Sequence, residues 1–362
     1  MRVYDVAGIA NKGISQRIVS APASALGQDT HIAAKNATCV ALPTNQPVAP
    51  AKNQGERMRQ DNLEQPMHAI YNYAVISDAQ EGLILVDVNT LQDGDPRNNF
   101  LRRALTFDGG GVLKGARHVT LGGYYAYVTT DAGIVIVNLA TPLQPKIAKV
   151  VPLAGARAAA LQFRYLFVTD AAGLDVIDVT IPEQAKRVES ARIALAQANR
   201  VYLARTYAYV AAGRDGLVIV DIENPERPRV YQTFNAAGQL NDAQDVVVGS
   251  TNASLFAYVA DGRNGLKVIQ LTAPDTQPKF YGFSPEPKPQ LIAWRETGSP
   301  ALALSRGLER DRGVDETGGQ VAVFGRIGSR PFNLEEQRRM YLKPDLTPWT
   351  VRDRPQSTEF KP

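Results

Sequence analysis

A short apolar segment that begins at a glycine and ends at a polar residue recurs along this chain. The clearest copy runs from Gly216 to Asp221, and a second strand-like segment, Tyr207–Val210, precedes it. The repeat occurs six times, the sixth copy being degraded. Its aligned glycines lie 40 to 54 residues apart, at Gly82, Gly133, Gly173, Gly216, Gly265 and Gly319. Spacings of roughly 40–50 residues are typical of blade or solenoid units, whereas helices would show a period of 3.6.

Within each copy the residues alternate with a period of two, which predicts β-strands. In Tyr207–Val210 the two tyrosines share one face, and Ala208 and Val210 share the other. Glycine and asparagine between the strands predict tight hairpins, because both tolerate positive φ. A proline four residues after the strand-ending residue indicates the turn into an outer strand. It is present in four copies, as Pro142, Pro182, Pro225 and Pro274.

A further short strand precedes each pair and another follows it, so the predicted unit is a four-stranded antiparallel sheet. Radial repetition of such sheets makes an all-β fold, the β-propeller. Met1–Val6 matches the third strand of a blade and Gln16–Val19 its fourth, which leaves the first blade incomplete at the N-terminus. We therefore expect the chain to be the C-terminal part of a longer polypeptide, or a gene model begun late. We expect seven blades over residues 1–330, with six as the alternative.

Two segments depart from the repeat. Residues 43–66 carry four prolines and predict a long irregular loop. In the tail, residues 331–362, Asn333 and Glu336 have the spacing of a capping box and predict a short helix over 333–342.

Leu217–Asp221 reads LVIVD, and Leu83–Asp87 is a close variant. On these residues the chain resembles the bacterial LVIVD-repeat β-propeller family, over about residues 1–326. The resemblance implies a propeller outside the cytoplasm, periplasmic or extracellular, without an established reaction. Some larger relatives occur beside secreted or electron-transfer proteins. Asn138, Gln270 and Phe324 replace the last residue of the motif, which indicates that the aspartate caps a turn rather than binding a ligand.

Composition excludes several classes of function. Forty Lys and Arg against 36 Asp and Glu give a net charge of +4, too small to indicate nucleic-acid binding. No apolar run is long enough for a membrane span. Cys39 is the only cysteine and is predicted in an inner strand, and the three histidines lack metal-ligand spacing. We therefore expect no metal and no cofactor.

Aspartates in the hairpin turns also lack the pattern of a metal site. Each turn supplies one carboxylate, whereas calcium takes six to eight converging oxygens, so turn formation is the predicted role. These residues are Asp131, Asp170, Asp215 and Asp261.

One cluster of polar residues is predicted where the first strands of the blades begin, at one mouth of the central channel. Its members are Arg117, His118, Arg157, Arg200 and Asp245. Only Asp245 is at hand to balance three guanidinium groups, so the cluster predicts a site for an anionic ligand or an acidic partner segment. The alternative is solvated charge with salt bridges to Asp245 and the connecting loops.

No catalytic motif accompanies the repeat, and a fold alone does not license a function. The favoured hypothesis is a non-catalytic scaffold that binds a partner protein on one propeller face. The alternatives are a ligand binder or enzyme at the channel mouth, and an accessory module of a haem-containing electron-transfer protein.

Overall fold

A computed structural model of the 362-residue chain gives the architecture. It describes residues 1, 4–5, 19–20, 31–43, 69–89, 101–251, 254–273, 284–305, 326–327, 330–331 and 345. The sixth repeat copy, most of the 43–66 loop and the helix expected over 333–342 lie outside the described residues.

Short strands dominate the described residues, and five antiparallel sheets follow one another as the repeat predicts, four of them four-stranded and one with its outer strand divided in two. β1 (Tyr4–Asp5) first pairs with β2 (Val19–Ser20), which agrees with the predicted hairpin at the N-terminus. Sheet 1 comprises β3 (Ala37–Ala41), β4 (Tyr73–Asp78), β5 (Gly82–Asp87) and β6 (Arg102–Phe107). Sheet 2 comprises β7 (His118–Gly122), β8 (Tyr125–Thr130), β9 (Gly133–Asn138) and β10 (Lys146–Val151). Sheet 3 comprises β11 (Ala158–Gln162), β12 (Tyr165–Asp170), β13 (Gly173–Asp178), β14 (Lys186–Arg187) and β15 (Ile193–Ala194).

The last two sheets follow the same meander, in which each strand pairs with the next along the chain. Sheet 4 comprises β16 (Arg200–Ala204), β17 (Tyr207–Ala211), β18 (Leu217–Asp221) and β19 (Arg229–Phe234). Sheet 5 comprises β20 (Asp245–Thr251), β21 (Ser254–Ala260), β22 (Leu266–Thr272) and β23 (Gln290–Arg295). β24 (Arg326–Ile327) pairs with β25 (Arg330–Pro331). The helices described are short 3-10 turns at Ala69–Asn72, Pro182–Gln184, Glu189–Ala191 and Ala236–Gly238.

The chain divides into two compact units. Unit 1 contains sheet 1 and consists of Met1–Phe107, Leu139–Pro145 and Arg312–Pro362. Unit 2 contains sheets 2 to 5 and consists of Asp108–Asn138 and Lys146–Asp311. Among the described residues, no helix is both long and apolar enough to cross a membrane.

Apolar layers between successive sheets form the core of unit 2. Ile134 and Ile136 of sheet 2 meet Val168 of sheet 3, and equivalent layers join sheet 3 to sheet 4 and sheet 4 to sheet 5. The central strands of sheet 4 are therefore buried on both faces, which explains why Leu217–Val220 reads as a continuous apolar run rather than as an alternating one.

In the five repeat copies whose glycine the structure describes, that glycine begins or precedes a third strand in a conformation that other residues rarely adopt. Gly133 has φ +116° and Gly216 has φ +76°. At Gly133 a Cβ atom would collide with the backbone carbonyl of Val151. Glycine is needed here because both the dihedral angle and the close approach of the outer strand exclude a side chain.

Aspartates at the ends of the third strands cap turns, as the sequence predicts. Oδ1 of Asp87 accepts a hydrogen bond from the N–H of Asn89 at 3.0 Å, and Asp221 accepts one from Glu223 at 3.0 Å. In the hairpins, Asp170 accepts from the N–H of Ala172 at 2.7 Å. These carboxylates are engaged locally, which is turn chemistry.

Sheet 3 differs from the other sheets because its outer strand is interrupted. Residues 189–191 form a 3-10 turn between β14 and β15, and buried carboxylates lie beside this break. The carboxylate of Asp175 forms ion pairs with Arg187, at 2.7 Å between nitrogen and oxygen, and with Arg192. Arg192 forms a second ion pair with Asp170 at 2.6 Å. Burial alone would raise the pKa of Asp170, but hydrogen bonds from Arg192 and the Ala172 N–H outweigh it and lower the pKa.

Cys39 lies in β3, the first strand of sheet 1, as predicted. Its side chain is only partly buried, because the first strand is packed less tightly than the central strands β4 and β5.

Candidate functional site

The first strands of sheets 2 to 5 lie side by side in unit 2, so the residues at their starts form one group. β7 contacts β11, β11 contacts β16, and β16 contacts β20. A shared backbone bond precedes each of them: an N–H donates to a carbonyl near the end of the second strand at 2.7 to 2.9 Å. The donors are Arg117, Arg157, Asn199 and Gln244. This equivalence places Arg117 level with Arg157, and His118, Arg200 and Asp245 one residue further on. We call the five sequence-predicted residues the first-strand site.

Two of the three arginines are engaged inside the protein. Arg117 forms an ion pair with Asp131 in the hairpin of its own sheet. Arg157 donates to Oδ1 of Asn199 at 2.8 Å and to the carbonyl of Ala198 at 3.3 Å. Among the equivalent strand positions Asp245 supplies the carboxylate, but Arg117 pairs with Asp131, a hairpin residue that the strand alignment did not include, so for this arginine the salt-bridged alternative describes the structure.

Arg200 is the exception. Its side chain is partly buried, yet within the described residues its guanidinium group has no hydrogen-bond or ion-pair partner. Its charge acts on both His118 and Asp245. Ala158 occupies the equivalent position on the strand between them, where its buried side chain is only a methyl group.

His118 is a neutral hydrogen-bonding group in this site. Burial, followed by the positive charge of Arg200, lowers the pKa of His118 to about 3. Its Nδ1 atom accepts the N–H of Ala159 at 3.3 Å, so the ring proton of the neutral form lies on Nε2. His118 therefore adds a donor without adding charge.

Asp245 is a buried carboxyl group whose oxygens are already in use. Oδ2 accepts the N–H of Leu304 and Oδ1 accepts its neighbour Val246, both at 2.8 Å. Burial raises the pKa of Asp245, while the Leu304 bond and the charge of Arg200 oppose that rise. Asp245 thus attracts Arg200 without contacting it.

A second surface lies at the opposite ends of the same first strands, about 15 Å away at the usual rise per residue. Here the hairpins into the second strands expose Tyr124 and Phe163, and the connection after the third strand of sheet 3 exposes Ile181. Phe163 is 93% exposed, Ile181 50% and Tyr124 41%. We call these three residues the hairpin-tip surface.

Phe163 adopts a backbone conformation that is unfavourable for an aromatic residue. Its φ is +53°, whereas the equivalent turn of sheet 2 has Gly123 at +56° and that of sheet 4 has Arg205 at +58°. A left-handed conformation costs a non-glycine residue roughly 1–2 kcal/mol. The exposed ring makes few contacts that offset this cost.

Hydrogen bonds hold the surroundings of this surface in place. The Tyr125 hydroxyl donates to Glu183 at 2.6 Å, and the Tyr165 hydroxyl donates to Glu226 at 2.6 Å. Each bond joins one sheet to the next. Glu183 raises the pKa of Tyr125 well above its usual value, with burial adding to the effect. The backbone around Phe163 is therefore held in place by hydrogen bonds between neighbouring sheets.

Neither surface has the ligands of a metal centre. Among the described residues, no group of three or more His, Cys, Asp or Glu side chains could hold a metal ion.

The successive antiparallel sheets, each a meander of strands paired in chain order, define an all-β protein of the β-propeller class. More particularly, the chain carries LVIVD repeats, matched by the LVIVD repeat model at residues 115–148, 197–235 and 242–275. No curated protein matches the chain.

Solved structures similar to the chain include a β-propeller domain and a putative lactonase. The β-propeller domain of Cps50 (Swd1) from Myceliophteria thermophila is 10% identical, with 74% of each chain covered and a TM-score of 0.49. A putative 6-phosphogluconolactonase from Bacteroides uniformis is 10% identical, with 64% of this chain and 70% of that chain covered and a TM-score of 0.48.

The residues of the first-strand site were predicted from the sequence, whereas those of the hairpin-tip surface were not. Phe163 follows an apolar strand and is indistinguishable in sequence from a core aromatic. Its signal is an alignment of the turns, in which Phe163 falls where sheet 2 has Gly123.

Proposed function

We propose that this chain is a non-catalytic scaffold that binds a partner protein through the hairpin-tip surface. The observation that carries the proposal is Phe163, an almost fully exposed aromatic ring held at positive φ. Strained backbone at a surface position often accompanies function, and aromatic residues dominate the energetics of protein interfaces.

The chemistry of the surface specifies the partner. Phe163, Tyr124 and Ile181 provide an apolar contact, and a single protruding ring fits a cleft on a folded protein better than a flat surface. Arg205 is exposed at the neighbouring tip and has no ion pair among the described residues. Glu183 and Glu226 are occupied by tyrosine hydroxyls. The partner is therefore a folded protein with an apolar cleft and a carboxylate near its edge.

The location outside the cytoplasm is part of the same proposal and rests on the family resemblance alone. Fractionation of cells that produce the native protein tests it. Recovery of the protein with cytoplasmic markers would rule this location out.

The interaction is tested by placing a photoreactive benzoylphenylalanine at position 163 in the organism that encodes the chain. The captured protein is then purified and its affinity is measured against wild type, Phe163→Gly and Phe163→Ser. Both variants should weaken binding by at least about tenfold, because they remove an interface anchor. Trp294→Ser, which removes another exposed aromatic ring, should leave binding unchanged.

The two variants at Phe163 also separate binding from stability. Glycine tolerates positive φ and serine does not, so Phe163→Gly should be about 1 kcal/mol more stable than Phe163→Ser in urea unfolding. Capture of no protein, capture of a second copy of the chain only, or equal affinity of wild type and variants would contradict the proposal.

A further inference from the structure

The first-strand site is a second polar surface of the protein, and it shares no residue with the hairpin-tip surface. A guanidinium group is seldom left without partners when it is partly removed from water, because its donors lose hydration. Arg117 and Arg157 follow that rule through Asp131 and Asn199. Arg200 does not follow it within the described residues.

The groups around Arg200 define what can bind there. On one side, neutral His118 carries its proton on Nε2 and offers a single donor. On the other side, each oxygen of Asp245 accepts one backbone N–H, so this carboxylate contributes negative charge and can only accept further hydrogen bonds. Ala158, between His118 and Arg200 in the strand order, adds no polar group. Arg200 and His118 are therefore the donors of the site, and Arg200 carries its positive charge.

We infer that Arg200 and His118 bind one carboxylate group at the start of the first strands. A guanidinium group presents paired N–H donors in the geometry of a carboxylate. A dianion such as phosphate is disfavoured, since the Asp245 carboxylate repels a second negative charge and one arginine cannot balance two. This site is separate from the hairpin-tip surface and does not depend on the scaffold proposal.

A carboxylate has two sources, a small carboxylic acid and an acidic segment of a protein. Titration calorimetry at constant ionic strength separates them, with sodium acetate, a hexaglutamate peptide and inorganic phosphate as probes. Acetate and peptide binding together indicate a site open to small acids. Binding of the peptide alone indicates a site for a protein segment. Both results support the inference.

Arg200→Gln should weaken acetate or peptide binding by at least about tenfold, since it removes a charge-assisted hydrogen bond. Arg227→Gln is the matched control, because Arg227 is an exposed arginine at the opposite edge of the same sheet. That control should bind as wild type does. Arg200→Lys keeps the charge but loses the paired donors, so this variant should bind the carboxylate probes more weakly than wild type does. It replaces Arg200→Gln in the experiment if the glutamine variant fails to fold.

Several results would overturn the inference: no binding of either carboxylate probe, tighter binding of phosphate than of acetate, or equal affinity of wild type and Arg200 variants. Phe163→Gly separates this inference from the scaffold proposal. The variant should lose affinity for the partner protein but bind acetate as wild type does, so the two losses are distinguishable.

Discussion

His118 shows how the environment of one residue changes its chemistry. Free histidine titrates near pH 6.5, but burial and Arg200 lower the pKa of His118 to about 3. The unfolded chain therefore takes up a proton as pH falls below 6.5, while the folded protein does so only near pH 3. The stability linked to His118 is fully present above pH 6.5 and is lost as pH falls from 6.5 to 3.

His118→Asn tests this linkage, because asparagine retains an acceptor for the Ala159 N–H but does not titrate. Relative to the variant, wild type should lose about 1–3 kcal/mol of unfolding free energy between pH 7 and pH 4. Urea unfolding at several pH values measures the difference. His31→Asn changes an exposed histidine and should show no such trend. A constant difference between wild type and His118→Asn would show that the pKa of His118 is the same in the folded and the unfolded protein.

At the scale of single elements, sheet 3 departs from the apolar repeat at Asp175. Sheets 1, 2 and 4 have Ile84, Val135 and Val218 at that position, all buried. The carboxylate of Asp175 is buried too, and it is tolerated because Arg187 and Arg192 reach it from the interrupted outer strand. Removing one partner of a buried ion pair leaves a charge that neither water nor protein satisfies.

Asp175→Asn should therefore lower the free energy of unfolding by about 2–3 kcal/mol. Asp221→Asn removes the same charge from a pair whose arginine, Arg229, is largely exposed, and should cost less than about 1 kcal/mol. Chemical denaturation of both variants beside wild type gives the comparison. Equal losses would mean that the network around Asp175 is solvated and contributes little.

For the whole molecule, strand order and sheet composition were predictable from sequence because the repeat is local. Gly133 and Asp221 specify their own turns through φ and through a neighbouring N–H. The contacts of the first-strand site were not predictable. The pairing of Arg117 with Asp131 depends on how the hairpin of its own sheet folds back toward the first strand, and the absence of a partner for Arg200 among the described residues depends on how the sheets pack, neither of which residue spacing encodes.

Metal content provides a test at the same scale. Purified protein should contain only substoichiometric metal by elemental analysis, and EDTA should not change its thermal unfolding midpoint. The reason is that the described residues include no cluster of three potential ligands, and one cysteine with three dispersed histidines favours no transition-metal site. A stoichiometric metal that is lost together with stability would contradict the non-catalytic scaffold.

The interrupted outer strand of sheet 3 has a consequence for aggregation. An unbroken edge strand presents a row of unpaired backbone groups on which another chain can add a strand. β14 and β15 have only two residues each, with a 3-10 turn between them, so this edge offers no continuous row. β23 has six residues, with Ile292 and Trp294 exposed. Intermolecular strand addition at high concentration is therefore expected to begin at β23 rather than at sheet 3.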